Sequence, residues 1–435
     1  MEKVSTEILY KHFLVHPKIS TDTRKIEQNS LFFALKGGNF DGNSFALQAL
    51  QQGAAFAVID NPELAADPRC LLVDDVLTAL QDVARHHRMQ FAFPVIGITG
   101  SNGKTTTKEL IACVLKKKYK THFTQGNLNN HIGVPLTLLA MPKDTEIAVI
   151  EMGANHQGEI GFLSSIARPT HGLISNVGLA HLEGFGGFEG VKKGKAELYG
   201  FLNSSGGRAF VNRDNPHLME MSAKLTDRIL FGTDGPVDCR GEMLTSVPTV
   251  SMRWSHANGA SGAMTANISG GYNFENILAA VTIACFFGVS AKDIDEAIAD
   301  YVPSNMRSQL IKKASCEILL DAYNANPTSM KAAIENFAAL NAPRKTLILG
   351  DMMELGEHTK EEHRRLLQAI SELSFNRVIL VGSYFGALQT HYPFRYFPST
   401  EAVSEWLKQN QDPGATYLIK GSRKMQLEKL VDCLA

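Results

Sequence analysis

The residues with the clearest chemical capacity form one run, Gly97-Ile98-Thr99-Gly100-Ser101-Asn102-Gly103-Lys104-Thr105-Thr106-Thr107. Glycines let backbone N–H groups come close to phosphate, a lysine behind them reaches the terminal phosphoryl oxygens, and the next threonine offers a hydroxyl to Mg²⁺. Read this way, Gly100, Asn102, Gly103, Lys104, Thr105 and Thr106 cradle the triphosphate of ATP, with Lys104 as the catalytic cation and Thr105 as a metal ligand. The common phosphate-loop pattern has a glycine where Ile98 stands, a departure at one position. An ordinary glycine turn is the plainer alternative. The flanks weigh against it: the apolar run 93–98 leads in, and 108–115 leads out with helical apolar spacing. That is the strand–loop–helix layout in which a helix N-terminus adds partial positive charge.

Other candidates follow from where strands end, because a parallel sheet gathers its C-terminal strand ends on one edge. The apolar strand 146–152 carries Glu151, whose oxygens suit the hard Mg²⁺ ion. A surface carboxylate at a strand end is the alternative. The strand 172–177 runs toward His181, which either faces the same site or is a satisfied structural histidine. The segment 124–135 is rich in side-chain amides, among them Asn129 and Asn130, and suits a loop lining a polar ligand. Three lysines, Lys192, Lys193 and Lys195, lie near a helix start, and spacing alone makes them a solvated face. Asn273 and Asn276 share one face of a later helix, where their amides match the edge of a base or cap the helix. Polar groups also cluster after apolar runs at 321–327, with Asn324 and Asn326, at 350–356 and at 420–424.

The elements that must position these residues fall into three stretches, as 435 residues exceed one ordinary domain. Residues 1–92 hold a strand at 30–35, a glycine-rich loop, a helix at 44–50 and a strand at 54–59. That loop has no Lys-Thr pair, so it is not an ATP site; a ligand loop and a capped turn both remain open. Residues 93–304 carry the phosphate loop, short strands and turns over 205–269, and a closing amphipathic helix at 292–298. After a linker at 303–307, residues 305–435 alternate strands at 317–320, 346–349, 378–381 and 417–419 with helices at about 328–340, 359–373, 400–409 and 423–432. The expected fold class is α/β in three domains: a small α/β N-terminal domain, a central P-loop ATPase-type mostly parallel sheet, and a doubly wound, Rossmann-like α/β C-terminal domain that closes over the triphosphate.

Composition bounds the rest. Apolar content of 44% and charged content of 20% describe a globular chain, and a formal net charge of −1 gives no broad basic field for nucleic acid. The six cysteines are scattered without a CxxC pair, as buried thiols in a reducing compartment would be. The first residues show no secretory h-region, no apolar run is long enough to span a bilayer, and no heptad seam argues for assembly. A cytoplasmic monomer is expected.

Together these motifs resemble the Mur ligase family, the ATP-dependent amide-forming enzymes of peptidoglycan synthesis, over nearly the whole chain. The run 99–106 matches the family's ATP loop. Four segments resemble the branch that adds D-alanyl-D-alanine: 21–24 with 31–35, 126–135, Asp321-Ala322-Tyr323-Asn324-Ala325-Asn326-Pro327, and Gly350-Asp351-Met352-Met353-Glu354-Leu355-Gly356. The branch adding the third peptide residue usually carries a Tyr-Ala-His-Thr-Pro-type run in place of 323–327 and an Asp-Asn-Pro-Arg run that this chain lacks. The resemblance implies addition of D-Ala-D-Ala to UDP-N-acetylmuramoyl-tripeptide through an acyl phosphate, using ATP and two Mg²⁺ ions. It leaves the tripeptide's third residue, lysine or diaminopimelate, open. It further implies that Thr21, Asp22 and Thr23 lie in the domain holding the uridine nucleotide, and that Glu151 and His181 hold Mg²⁺. Lys195 would be carbamoylated to help hold a second ion. Asn273 and Asn276 would lie near adenine, and Arg307 and Asp321 where the last domain reaches the nucleotide. Tyr272 and Gly194 depart mildly from the residues that relatives often carry there.

Overall fold

Strand Val95–Thr99 is buried along its whole length, as a parallel strand covered by helices on both faces must be. In the computed structural model, which describes residues 3–434, it is the third strand from one edge of a nine-stranded sheet. It pairs in parallel with Ile147–Glu151 on one side and His171–Ile174 on the other. Beyond Ile147–Glu151 lies Thr121–Phe123; beyond His171–Ile174 follow Arg208–Asn212, Arg228–Gly232 and Cys239–Thr245, all parallel. The strands Ser251–His256 and Ser261–Thr265 extend that edge antiparallel. The register sets Thr99 beside Ile174 and Ile98 beside Glu151, so these three adjacent strands finish on one edge of the sheet.

The N-terminal domain is a four-stranded parallel sheet in the order Ile19–Ser20, Leu31–Phe33, Phe56–Ile59, Cys70–Leu72. Two helices that the strand-and-loop reading did not single out, Thr6–Val15 and Val76–Met89, pack on it. The second begins at Asp75, whose carboxylate accepts from the Thr78 amide, and its Leu80, Val83 and Ala84 share one apolar cluster with Val134, Leu138 and Ile160 of the central domain.

The C-terminal sheet runs Gln309–Lys312, Glu317–Asp321, Thr416–Lys420, Lys345–Gly350, Arg377–Val381, Arg395–Phe397. All pairs are parallel except the first. Its apolar clusters contain only residues from 306 onward. The expected strands and the helices Pro327–Ala338, Thr359–Ser371 and Thr400–Gln409 are present. The expected last helix is instead two 3₁₀ turns, Arg423–Met425 and Leu427–Cys433, because Gln426 between them sits at φ +52°, outside the helical region.

Two histidines, the buried His87 and the partly buried His171, resist protonation in the folded chain. His87 lies among Phe13 and Phe91, with ring centroids 5.0 and 4.9 Å away, and burial pushes it down to about 4; burial does the same to His171. A folded-state value below the ordinary ~6.5 means the stability is present above that pH and is lost as pH falls through about 4. The melting temperature should therefore drop between pH 6.5 and 4, with a shallower slope in His87→Leu. An unchanged slope in that variant would remove His87 from the account.

Candidate active site

The phosphate loop holds its shape through glycine geometry and its neighbours. Gly100 sits at φ +143°, and a Cβ there would lie 2.1 Å from Ser175 Oγ. Gly103, at φ +76°, caps helix Lys104–Leu115 without a side-chain bond, and a Cβ there would meet Asn276 Oδ1 at 2.7 Å. The neighbouring strand end fixes the loop's path: Ser101 N donates to Asn176 O at 3.0 Å, Asn102 N to Asn176 Oδ1 at 2.8 Å, and Ser175 Oγ to Asn102 O at 2.6 Å. Lys104 Nζ lies over the loop, donating to Gly100 O at 2.7 Å and Ser101 O at 3.3 Å. Burial lowers its ammonium to about 8.

Glu151 lies at the centre, 1% exposed. Its Oε1 accepts from Thr105 Oγ1 at 3.1 Å and from Asn129 Nδ2 at 2.7 Å, while Oε2 has no hydrogen-bond partner. The nearest cation to Oε2, Lys108 Nζ at 3.9 Å, is itself buried without a hydrogen bond. An unpaired buried carboxylate oxygen beside a hydroxyl is a donor set that fits Mg²⁺. Among the described residues, no three His, Cys, Asp or Glu side chains gather as a metal cluster.

Lys195 corrects the solvated-face expectation. Helix Phe188–Ser205 turns it onto the same stripe as Val191, Leu198 and Leu202, where it is 2% exposed. Its Nζ reaches only Ala154 O, at 3.5 Å, and lies 5.0 Å from the Phe185 ring. Burial first, and the Lys104 charge second, hold its amine well below the usual lysine range. Lys192 turns aside to Glu220 at 2.9 Å, and only Lys193 is exposed.

His181, at φ +52°, bonds through Nδ1 to Glu354 Oε2 at 2.6 Å. Asn273 and Asn276 do not cap their helix. Asn276 donates to Asn273 Oδ1 at 2.9 Å and accepts from Thr107 Oγ1 at 3.0 Å, tying helix Asn273–Phe286 to the phosphate loop, and Asn273 Nδ2 donates to Ser269 O at 2.7 Å. Asn130 is a cap: its Oδ1 accepts from the Gly133 amide at 2.8 Å, at the start of helix Gly133–Leu139. One C-terminal side chain bonds to the loop, and two others line the cavity beside it. Asn326 caps its own helix and donates to Asn102 Oδ1 at 2.7 Å. Arg307 stacks over Tyr323 at 3.8 Å, and Asp321 pairs with the buried Lys420 at 2.5 Å. Asn324 Oδ1 accepts from the adjacent Ala325 amide at 2.9 Å.

Between the central and C-terminal domains these groups enclose a cavity of about 500 Å³. Its central-domain walls include Asn102, Gly103, Lys104, Thr106, Asn129 and Asn130, with Glu151, His181, Asn273 and Asn276. Arg307, Asp321, Asn324 and Asn326 face them. Gly100, Thr105 and Lys195 support the walls from behind rather than lining them. Thr21, Asp22 and Thr23 stand apart in the N-terminal domain, where Arg24 holds the Asp22 carboxylate down to about 2. Sequence reasoning gave no role to Lys108 or Glu354. Lys108 was detectable as the residue one turn past Lys104, and Glu354 as the only carboxylate between Asp351 and Gly356.

Family models match three stretches: the Mur ligase family catalytic domain over 17–88, the Mur ligase middle domain over 98–284, and the Mur ligase glutamate ligase domain over 306–423. The UDP-N-acetylmuramoyl-tripeptide–D-alanyl-D-alanine ligase of Bacillus subtilis (strain 168) is 38% identical, covering 97% of this chain and 93% of its own. A crystal structure of MurF from Acinetobacter baumannii superposes with a TM-score of 0.88 at 31% identity, over 100% of this chain and 99% of that one. MurF ligase from Thermotoga maritima, solved in complex with ADP, superposes at 0.83 with 27% identity, over 97% of each chain.

The loop geometry makes one substitution decisive. Gly100→Ala should weaken nucleotide binding at least tenfold, read by titration with a fluorescent ATP analogue, with the melting temperature moving only a few degrees. Unaltered affinity would mean that the Gly100–Ser175 approach does not shape the site.

Proposed function

This chain belongs to the Mur ligase family, and we propose that it joins D-alanyl-D-alanine to UDP-N-acetylmuramoyl-tripeptide, with ATP as the energy source, in peptidoglycan precursor synthesis. The products are the UDP-N-acetylmuramoyl-pentapeptide, ADP and phosphate. The observation that carries this reading is the single cavity in which the phosphate loop meets Asn326 and Arg307 of the C-terminal domain. Near full-length likeness to ligases of that name supports it.

The tripeptide carboxylate attacks the γ-phosphorus of ATP, forming an acyl phosphate as ADP leaves. Lys104 and the loop amides stabilise charge spread over the transferring group. The D-Ala-D-Ala amine then attacks the acyl carbon, phosphate leaves and the amine's proton passes to solvent. Such an amine has a pKa near ~8, so a useful fraction is nucleophilic at neutral pH without a strong general base. Walls from two domains exclude water, which would otherwise hydrolyse the acyl phosphate.

Thr105, Glu151 and His181 would hold Mg²⁺, and a carbamoylated Lys195 would help hold a second ion; the bound ions would neutralise phosphate charge. The neutral amine favoured by the burial of Lys195 is the form that takes up CO₂. Asn273, Asn276, Arg307 and Asp321 would surround the adenosine. Asn129, Asn130, Asn324 and Asn326 would contact the peptide substrates, while Thr21, Asp22 and Thr23 would contact the uridine nucleotide. We place the protein in the cytoplasm as a monomer; no helix among the described residues is long and apolar enough to cross a membrane.

Phosphate release should require ATP, UDP-N-acetylmuramoyl-tripeptide and D-Ala-D-Ala together, with a product heavier by the dipeptide. Lys104→Ala should abolish that release while the circular dichroism spectrum stays unchanged. Release triggered by a different amine would keep the ligase chemistry and discard the acceptor. Near-normal turnover by Lys104→Ala would overturn the phosphate-site assignment.

A further inference from the structure

We propose that Glu354 is a positioning residue for this ligase: its carboxylate, carried by the C-terminal domain, fixes the imidazole of His181 on the central domain, so that the phosphate site is complete only when the two domains meet. The inference rests on the function proposed above and adds a residue to it.

The contact itself is the first observation. His181 Nδ1 lies 2.6 Å from Glu354 Oε2, across two domains whose apolar clusters do not join. An ionised carboxylate only accepts, so in this contact Nδ1 is the donor and carries a proton. His181 lines the cavity; Glu354 does not. A carboxylate behind an imidazole sets ring orientation and tautomer without touching the reactants.

Backbone conformation is the second observation. His181 at φ +52° and Glu354 at φ +63° are both non-glycine residues in the left-handed region. Such residues persist where the surroundings over-determine them, and they concentrate at sites that need an exact geometry. Here two of them meet in one ion pair.

The third observation is how firmly the loop 351–356 is held. Asp351 is buried, and its carboxylate accepts from the Tyr384 and Phe385 amides, each at 2.9 Å. Met352 N donates to His363 Nε2 at 3.1 Å, and the opposite ring nitrogen of His363 bonds to Thr359 O at 2.7 Å. Met353 N donates to Ser422 Oγ at 2.9 Å. Glu354 therefore follows three anchored residues. Two residues further on, Gly356 packs on Glu183, where a Cβ would lie 3.2 Å away. An incidental surface ion pair would not need a loop pinned by three other segments of its own domain.

The test uses the full-length chain. Glu354→Ala should lower kcat for pentapeptide formation at least tenfold while changing KM for ATP less than threefold. Glu354→Gln, whose amide oxygen can still accept from Nδ1–H, should recover most of the rate. In ¹⁵N-histidine-labelled protein saturated with ADP, long-range ¹⁵N–¹H spectra should show His181 in the Nδ1–H tautomer, and Glu354→Ala should convert it to a mixture. A kcat within threefold of the parent, a Gln variant no better than Ala, or an unaltered His181 tautomer would each overturn the proposal. If the parent protein makes no pentapeptide, the function assignment fails, whereas the tautomer measurement still tests the Glu354 contact because it uses no peptide substrate.

Discussion

Helix Lys104–Leu115 begins with backbone N–H groups that no side chain caps, and the site is arranged around that bare terminus. Helix starts ordinarily satisfy such donors with a serine, threonine or aspartate oxygen. Here the N-cap is a glycine in the left-handed region, so the donors stay available for an anion. Leaving them open transfers the work of fixing the loop to other elements. Ser175 and Asn176 grip it from the adjacent strand end, and Asn276 reaches it from a distant helix through Thr107. The parallel register of Val95–Thr99 with its two neighbours is what brings those grips within reach.

Charge is distributed unevenly around that terminus. Lys104 and Lys108 face the buried carboxylate of Glu151, and Lys195 feels the charge of Lys104, whereas Lys420 is matched one-to-one by Asp321. Burial depresses Lys104, Lys108 and Lys195 alike. A site with an excess of poorly solvated cations is unfavourable in isolation and becomes favourable when a polyanion supplies the missing charge. The same argument fits the long, 3.9 Å ion pair of Lys108 with Glu151, in which neither Lys108 Nζ nor Glu151 Oε2 makes a hydrogen bond.

Much of this was legible in the sequence, and the limits are physical. The phosphate loop, the strand ending in Glu151 and the alternation after residue 305 were readable because they are local patterns: glycine spacing, apolar runs and strand–helix periodicity. Burial of Lys195 was hidden because a lysine triplet reads as solvent-facing, and only the angular position on a helix packed against Glu159–Ala167 buries the third. The roles of Asn273, Asn276 and Asn130 could not be separated by residue type, since the same amide serves a cap, a loop clamp or a ligand. The last helix failed at one backbone conformation, Gln426, which no periodicity announces. The Glu354 contact joins residues 173 positions apart by number and needed the folded chain.

The shared apolar cluster between the first two domains has a mechanical consequence. Residues such as Leu80 and Val83 interlock with Val134, Leu138 and Ile160, so those two bodies behave as one solid piece. The third adjoins it through polar bonds, which water can replace at little loss. The first two domains thus share an apolar seam, and the third meets them across a polar one. The apolar seam fixes the span from the N-terminal sheet to the phosphate loop, whereas the span from the loop to the third domain is set by the polar bonds. A change on the apolar seam would alter packing, and a change on the polar seam would exchange hydrogen bonds with water.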